Sequence, residues 1–388
     1  MSAQYKICLL ILSAGFYLAG CDSESHYEVA PVSSTNDQGF DYLNGAFPEP
    51  HEPEDNKATE AKFQLGRHLF YDKRLSGNQT QSCESCHFQS LAFTDGKVQS
   101  IGSTGDLLSR NASTLTNVGY NATYTWSNPV LKHIESQLVI PMFGEFPVEL
   151  GINDGNKEAI LSRFKDDNEY VQRFNLAFPN QDAPISLPNI IKSLAVFNRA
   201  LISNDSDFDR GEMSSSAMRG QALFNSEKME CFHCHSGFNF TDSTLHEDTV
   251  FVSRPFFNTG LYNLDEEGSY PAIDNGLFEV TQQPGDKGKF RPPTLRNITL
   301  TAPYMHDGSI ATLDEVLAFY AQGGRNIIEG EFIGDGRNNP NKSEFVNGFS
   351  LSEQEKADLI AFLTALTDHA FVANPRFNNP FLNEVNND

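Results

Sequence analysis

Small and apolar residues return at helical spacing in several stretches of this chain. Through 57–70 Ala61, Leu65 and Leu69 share one face, and through 214–226 Ala217, Gly220 and Phe224 do likewise. The same periodicity predicts helices over 157–177, 188–203, 312–322 and 352–367. Thr312 with Glu315, and Ser352 with Glu355, have the spacing of capping boxes, and Gly323-Gly324 supplies a stop. Period-two alternation is scarce, and 238–300 reads as loop with short extended pieces. The pattern therefore predicts a mainly α fold with long loops and few short strands. A short repeat crosses it. Gly66-x-x-Leu69-Phe70 and Gly220-x-x-Leu223-Phe224 each end a predicted helix, which hints at an internal duplication.

The N-terminal part of the chain carries a different composition. Lys6 precedes the apolar run Ile7–Leu12, and a weaker stretch ends in Leu18-Ala19-Gly20-Cys21. This segment is short for a bilayer span and reads as a signal peptide over 1–21. Leu-Ala-Gly-Cys also has the form of a bacterial lipobox, so Cys21 is expected to carry lipid and anchor the chain to a membrane of the cell envelope. Residues 22–56, rich in Ser, Asp, Glu, Asn and Pro, are expected to form a flexible tether. The formal charge of −23 argues against nucleic acid as a partner.

Two strings carry the chemistry: Cys83-Glu84-Ser85-Cys86-His87 and Cys231-Phe232-His233-Cys234-His235. Each is a C-x-x-C-H, the pattern at which haem c is attached. Two thiols at that spacing reach the two vinyl groups of one haem, and the next residue offers an imidazole to the iron. A thioredoxin-like pair or half of a zinc site would not need the histidine in both copies. Cysteine arithmetic agrees. Of 6 cysteines, Cys8 leaves with the signal, Cys21 takes lipid and four hold haem, leaving none for a disulfide. The chain is thus expected to carry two covalently bound haem c groups, in an N-terminal domain over 57–205 and a C-terminal domain over 206–370. A C-terminal tail follows over 371–388.

Beyond these strings, Phe63–Gly77, Ala92-Phe93-Thr94-Asp95-Gly96, Pro293-Thr294-Leu295-Arg296-Asn297 and Thr301–Gly308 occur in order around the two sites. Together they resemble the bacterial di-haem cytochrome c peroxidase/MauG family over about 58–368. Pro141–Gly151 and Phe257–Asn263 look most like its methanobactin-associated, MauG-like members, which oxidise a tryptophan on a partner protein.

The resemblance implies roles for single residues. Ser103 stands where the peroxidases place a histidine on the far side of the first haem, which implies an open iron there, held by His87 alone; His133 is a rival ligand. Tyr320 falls where the second haem takes its other axial ligand opposite His235, with Met305 and Met142 as rivals. Trp126, the only tryptophan, falls between the two haems as a relay. Glu149 in Pro147-Val148-Glu149 is the expected proton shuttle, with Glu145 as the alternative. A calcium ion would be held by the Asn111 side chain and the carbonyls of Thr301 and Pro303. The implied activity is a periplasmic oxidoreductase that uses hydrogen peroxide to reach a high-valent di-haem state and oxidises a partner protein. A peroxidase fed by a small cytochrome or cupredoxin, and a non-enzymatic di-haem electron carrier, are the alternatives.

Overall fold

The computed structural model describes residues 40–383. The expected signal peptide, the lipid site at Cys21 and the first part of the tether lie outside the described residues. Among the described residues no helix is long and apolar enough to cross a membrane. The helices are α1 (Glu60–Tyr71), α2 (Ile134–Phe143), α3 (Lys157–Lys165), α4 (Asn168–Ala177), α5 (Leu187–Arg199), α6 (Asp207–Arg210), α7 (Ser215–Phe224), α8 (Phe278–Thr281), α9 (Leu313–Ala321), α10 (Glu353–Thr364) and α11 (His369–Val372). Two strands of two residues, β1 (Asn326–Ile327) and β2 (Gly334–Asp335), pair antiparallel. The fold is mainly helical, with long loops between the helices.

The repeated G-x-x-L-F sits at corresponding helix crossings. α1 packs on α5 and α7 packs on α10. A Cβ placed on Gly66 would lie 2.0 Å from the Ser193 carbonyl oxygen, and one on Gly220 would lie 1.9 Å from that of Asp358. In each pair only glycine lets the backbones approach so closely. The Leu and Phe that follow Gly66, and the Phe that follows Gly220, then pack inward: Leu69, Phe70 and Phe224 are buried. α7 is also tied to α10 by charge, with the Arg219 guanidinium donating to both oxygens of Asp358 and Ser216 to one of them.

Apolar burial falls into one large core drawn from residues 42–202 and smaller ones drawn from 224–366. Phe371 and Phe377 break this order by returning to the first core. The Tyr71 hydroxyl donates to the Phe377 carbonyl at 2.6 Å, and Asn379 donates to Glu84 inside the first C-x-x-C-H. The segment after α10 is thus a strap over the N-terminal half.

Two expectations need correction. Residues 40–56, assigned to the tether, pack on the body: Phe40 lies against Phe63, Phe47 against Tyr120, and Tyr42 is buried. The average polarity of the segment hid three aromatic anchors. The helix predicted over 157–177 is two helices, because the Asp167 side chain accepts from the Glu169 and Tyr170 amides and starts α4 afresh.

Candidate haem sites and the residues between them

Each C-x-x-C-H begins in a single tight turn, Cys83–Ser85 and Cys231–His233. The histidine that follows is oriented in the same way in both. His87 Nδ1 lies 2.7 Å from the Phe93 carbonyl, and His235 Nδ1 lies 3.1 Å from that of Phe240. A ring that donates from Nδ1 keeps the Nε2 lone pair for a metal. Both carbonyls are turned back by left-handed residues, Phe93 at φ 60° and Phe240 at φ 50°. Burial lowers the His87 pKa and pushes that of His235 down to about 4, so both rings are neutral, as iron ligation requires.

The thiols fit haem attachment and not a zinc site. All four motif cysteines are free, and burial pushes Cys83 up to about 12 and Cys86 up to about 11. Zinc would need thiolates and further converging ligands. Among the described residues the one such convergence, Glu227 with Glu230 and His233, contains no cysteine.

Cys83, Cys86 and His87 line one cavity. The same cavity is lined from α2 by Gln137, Leu138 and Pro141, and also by Gly102 and Glu149. Burial alone pushes the Glu149 carboxyl up to about 7. Glu145 is exposed and is absent from this lining, as is His133, which is exposed at the N-cap of α2. Met142 is buried in the first core. Ser103 is held by its backbone: its amide donates to the Glu149 carbonyl at 2.8 Å, and Asn78 donates to its carbonyl at 2.6 Å. A Cβ on Gly102 would lie 1.7 Å from the Val148 carbonyl oxygen, so the two loops cross where no side chain fits.

The second and larger cavity is walled by Cys231, Cys234, His235, Trp126, Met305 and Tyr320 among mostly apolar residues. Tyr320, near the C-terminus of α9, is buried enough that its phenol holds its proton more tightly than usual. Met305 shares the cavity, so both candidate ligands reach the same space. The sequence reading missed one wall residue, Arg291. It is 5 % exposed, and its guanidinium donates to the carbonyls of Thr125 and Pro292. Among the described residues it has no carboxylate ion pair. A buried cation that hydrogen-bonds only to backbone carbonyls, with Asp242 close enough to feel its charge but not paired to it, suits the carboxylates that a haem carries.

Trp126 ties this cavity to the loops of the N-terminal half. Its indole N–H donates to the Asn111 carbonyl at 3.0 Å. The Asn111 amide in turn donates to the His306 carbonyl at 2.8 Å, and its side-chain amide donates to Lys97 at 2.6 Å. Asn111 is thereby drawn towards the loop that holds Thr301 and Pro303. Among the described residues the Asn111 Oδ1, Thr301 and Pro303 oxygens accept no hydrogen bond, which fits a hard cation.

Comparison with known proteins agrees with this geometry. A family profile described as di-haem cytochrome c peroxidase matches residues 60–216. Cytochrome-c peroxidase IdrP1 of Pseudomonas sp. (strain SCT) is 31 % identical over 384 residues, 94 % of this chain and 92 % of that protein. The chain belongs to the di-haem cytochrome c peroxidase/MauG family. Its members are peroxide-using oxidoreductases that carry two haem c groups, and the cavities above fit that cofactor. The methylamine utilization protein MauG of Methylorubrum extorquens is 30 % identical over 323 residues, 82 % of this chain and 81 % of its own length. The crystal structure of a MauG-like protein associated with microbial copper homeostasis superposes with a TM-score of 0.85 at 49 % identity. It covers 86 % of this chain and 97 % of that one.

Proposed function

We propose that this member of the family is a MauG-like enzyme that takes oxidising equivalents from hydrogen peroxide and delivers them to a side chain, such as a tryptophan, of a partner protein. The observation that carries the reading is the unequal furnishing of the two cavities. The first offers His87 and an acid, Glu149; the second offers His235 and a phenol, Tyr320. The 49 % identity to a MauG-like protein supports it.

When bound, the two haem c groups supply iron centres that accept oxidising equivalents. The chain's own residues do the rest. His87 and His235, each held through Nδ1, would ligate the two irons through Nε2. With no side chain at Gly102 and Ser103 turned aside, peroxide can enter the first site, where Glu149 takes and returns its proton. Tyr320, if it gave up its proton to bind the iron as a phenolate, would favour the oxidised form of the second site. Trp126 is the relay between them, and Asn111, Thr301 and Pro303 would hold a calcium ion that fixes the crossing loops. The two haem domains, 57–205 and 206–370, are best read from the duplicated helix crossings. Lipid at Cys21 would hold the enzyme in the cell envelope, on the periplasmic side.

Peroxide added to the ferric holoprotein without any reductant is the test. A long-lived oxidised state, starting from one high-spin and one low-spin haem, is the expected result. Activity only after one-electron reduction would favour the donor-fed peroxidase, a reading that the peroxidase relatives and Met305 in the second cavity support. Two low-spin haems inert to peroxide would favour a simple electron carrier.

A further inference from the structure

Tyr262 lies directly behind the second cavity. Its ring is 5 % exposed and meets the ring of Tyr270, a wall residue of that cavity, edge-on with centroids 5.4 Å apart. Its hydroxyl donates to Asp307 Oδ2 at 2.6 Å. The Arg325 guanidinium stacks 4.6 Å over the same ring and donates to Ser309 Oγ, while the Ser309 amide donates to Asp307 Oδ1 at 3.0 Å. Every polar atom around this phenol is thus placed, and the group that takes its hydrogen bond is a carboxylate.

The other tyrosines around the second cavity lack that feature. The Tyr270 hydroxyl donates to the Asn258 side-chain oxygen at 3.0 Å, and that of Tyr304 to the Ile298 carbonyl at 3.1 Å. Amide oxygens do not take up protons. The two tyrosines that face carboxylates elsewhere, Tyr42 on Glu52 and Tyr170 on Asp72, belong to the first core and line neither cavity. Oxidising a neutral phenol makes it a far stronger acid than any carboxylic acid, so a phenol that is to lose an electron needs a base already in hydrogen-bond contact.

We propose that Tyr262, with Asp307 as its proton acceptor, is a one-electron relay that draws an oxidising equivalent out of the second haem site through the ring of Tyr270. This rests on the reading that peroxide oxidises the haem held there. In the step, one electron leaves the Tyr262 phenol for the oxidised haem c, and its proton moves from the hydroxyl to Asp307 Oδ2. The products are a neutral tyrosyl radical, a protonated Asp307 and a haem group reduced by one electron. A later electron from the partner or a reductant, with return of the proton, restores the phenol. The resting state is prepared for this. Burial acts to raise the Asp307 pKa, but the hydrogen bonds from Tyr262 and Ser309, with the neighbouring His306, outweigh it and hold the carboxyl below its ordinary range. Burial and the Asp307 charge push Tyr262 up to about 12, so the phenol holds its proton until the electron leaves.

The test uses the ferric holoprotein mixed with hydrogen peroxide, freeze-quenched and read by electron paramagnetic resonance, with ring-deuterated tyrosine to identify the radical. Wild type should show a tyrosyl signal that Tyr262→Phe removes and that Tyr304→Phe leaves in place. Asp307→Asn, which keeps the hydrogen-bond geometry without the base, should slow its appearance roughly tenfold or more. Haem oxidation followed optically in the same samples separates the two ideas. If peroxide leaves both haem spectra unchanged, the peroxide reading falls and the relay with it. If the haems are oxidised but the tyrosyl signal is absent, or survives Tyr262→Phe, the relay alone is overturned.

Discussion

Replacing Glu149 with glutamine keeps the side chain's size and its place on the first cavity while removing the proton that it can exchange. Burial places this carboxyl at a pKa of about 7, against an ordinary value of 4.5. About 1 % of it is then ionised at pH 5 and about 90 % at pH 8. If the ionised form takes the proton from peroxide, the rate of haem oxidation should climb nearly in proportion, by roughly 90-fold over that range. An unperturbed carboxyl would already be about three-quarters ionised at pH 5 and would give an almost flat profile. Stopped-flow mixing of the ferric holoprotein with peroxide, at closely spaced pH, measures this directly. Glu149→Gln should lose about 10²–10⁴-fold in that rate, which is about 3–5 kcal/mol of barrier, and lose the pH dependence as well. Glu145→Gln, on the exposed side of the same loop, should change neither. The folded protein also binds the Glu149 proton more tightly than the unfolded chain does. The stability from that binding is complete below about pH 4.5 and is lost as pH rises through about 7, so Glu149→Gln should gain thermal stability relative to wild type at pH 8 but not at pH 5. A flat wild-type profile, or a glutamine variant as fast as wild type, would refute the role.

Gly220→Ala puts a methyl group 1.9 Å from the Asp358 carbonyl oxygen and forces α7 away from α10. The strain, about 1–3 kcal/mol or more, should outweigh the roughly 1 kcal/mol that alanine gains over glycine in a helix, so thermal unfolding should shift down; an upward shift would show that the crossing is not tight. Tyr320→Phe should abolish the low-spin ferric signal of the second haem and the long-lived oxidised state, and a normal low-spin spectrum would transfer the ligand role to Met305. Arg291→Met removes a buried cation from the wall of the second cavity and should lower the midpoint potential of that haem alone, seen by spectroelectrochemical titration.

Much of the site was legible because haem attachment is written locally, in five consecutive residues. The helices were legible for the same reason, down to the capping boxes at Thr312 and Ser352, where both reciprocal bonds form. The partners of the two histidines were not read, although the signal was present: Phe93-Thr94-Asp95 and Phe240-Thr241-Asp242 are a second repeat, six and five residues after the motif histidines. The bonds run to backbone carbonyls, whose direction depends on φ and not on residue type. Arg291 escaped because an arginine beside two prolines looks like surface; only its burial reveals it. The strap formed by Phe371 and Phe377 escaped because contacts between the ends of a chain leave no periodicity.

The duplicated parts and the unduplicated parts of the molecule divide its labour. A G-x-x-L-F helix, a C-x-x-C-H turn and a Phe-Thr-Asp turn recur in both halves, and each set makes the same crossing and holds its histidine by the same Nδ1 bond. Those elements suit the holding of a haem. The two cavities differ in the residues that other segments bring to them: in the first half the loops crossing at Gly102 and Val148, with Glu149 beside them; in the second half α9, with Tyr320. Damage to a repeated element should therefore cost its own site its cofactor. A change at Glu149 or Tyr320 should leave both cofactors attached and alter what one of them can do. Difference in function between two sites with the same attachment pattern is, on this view, a property of the residues that differ between their cavities, and those positions are where substitutions should convert one kind of family member into another.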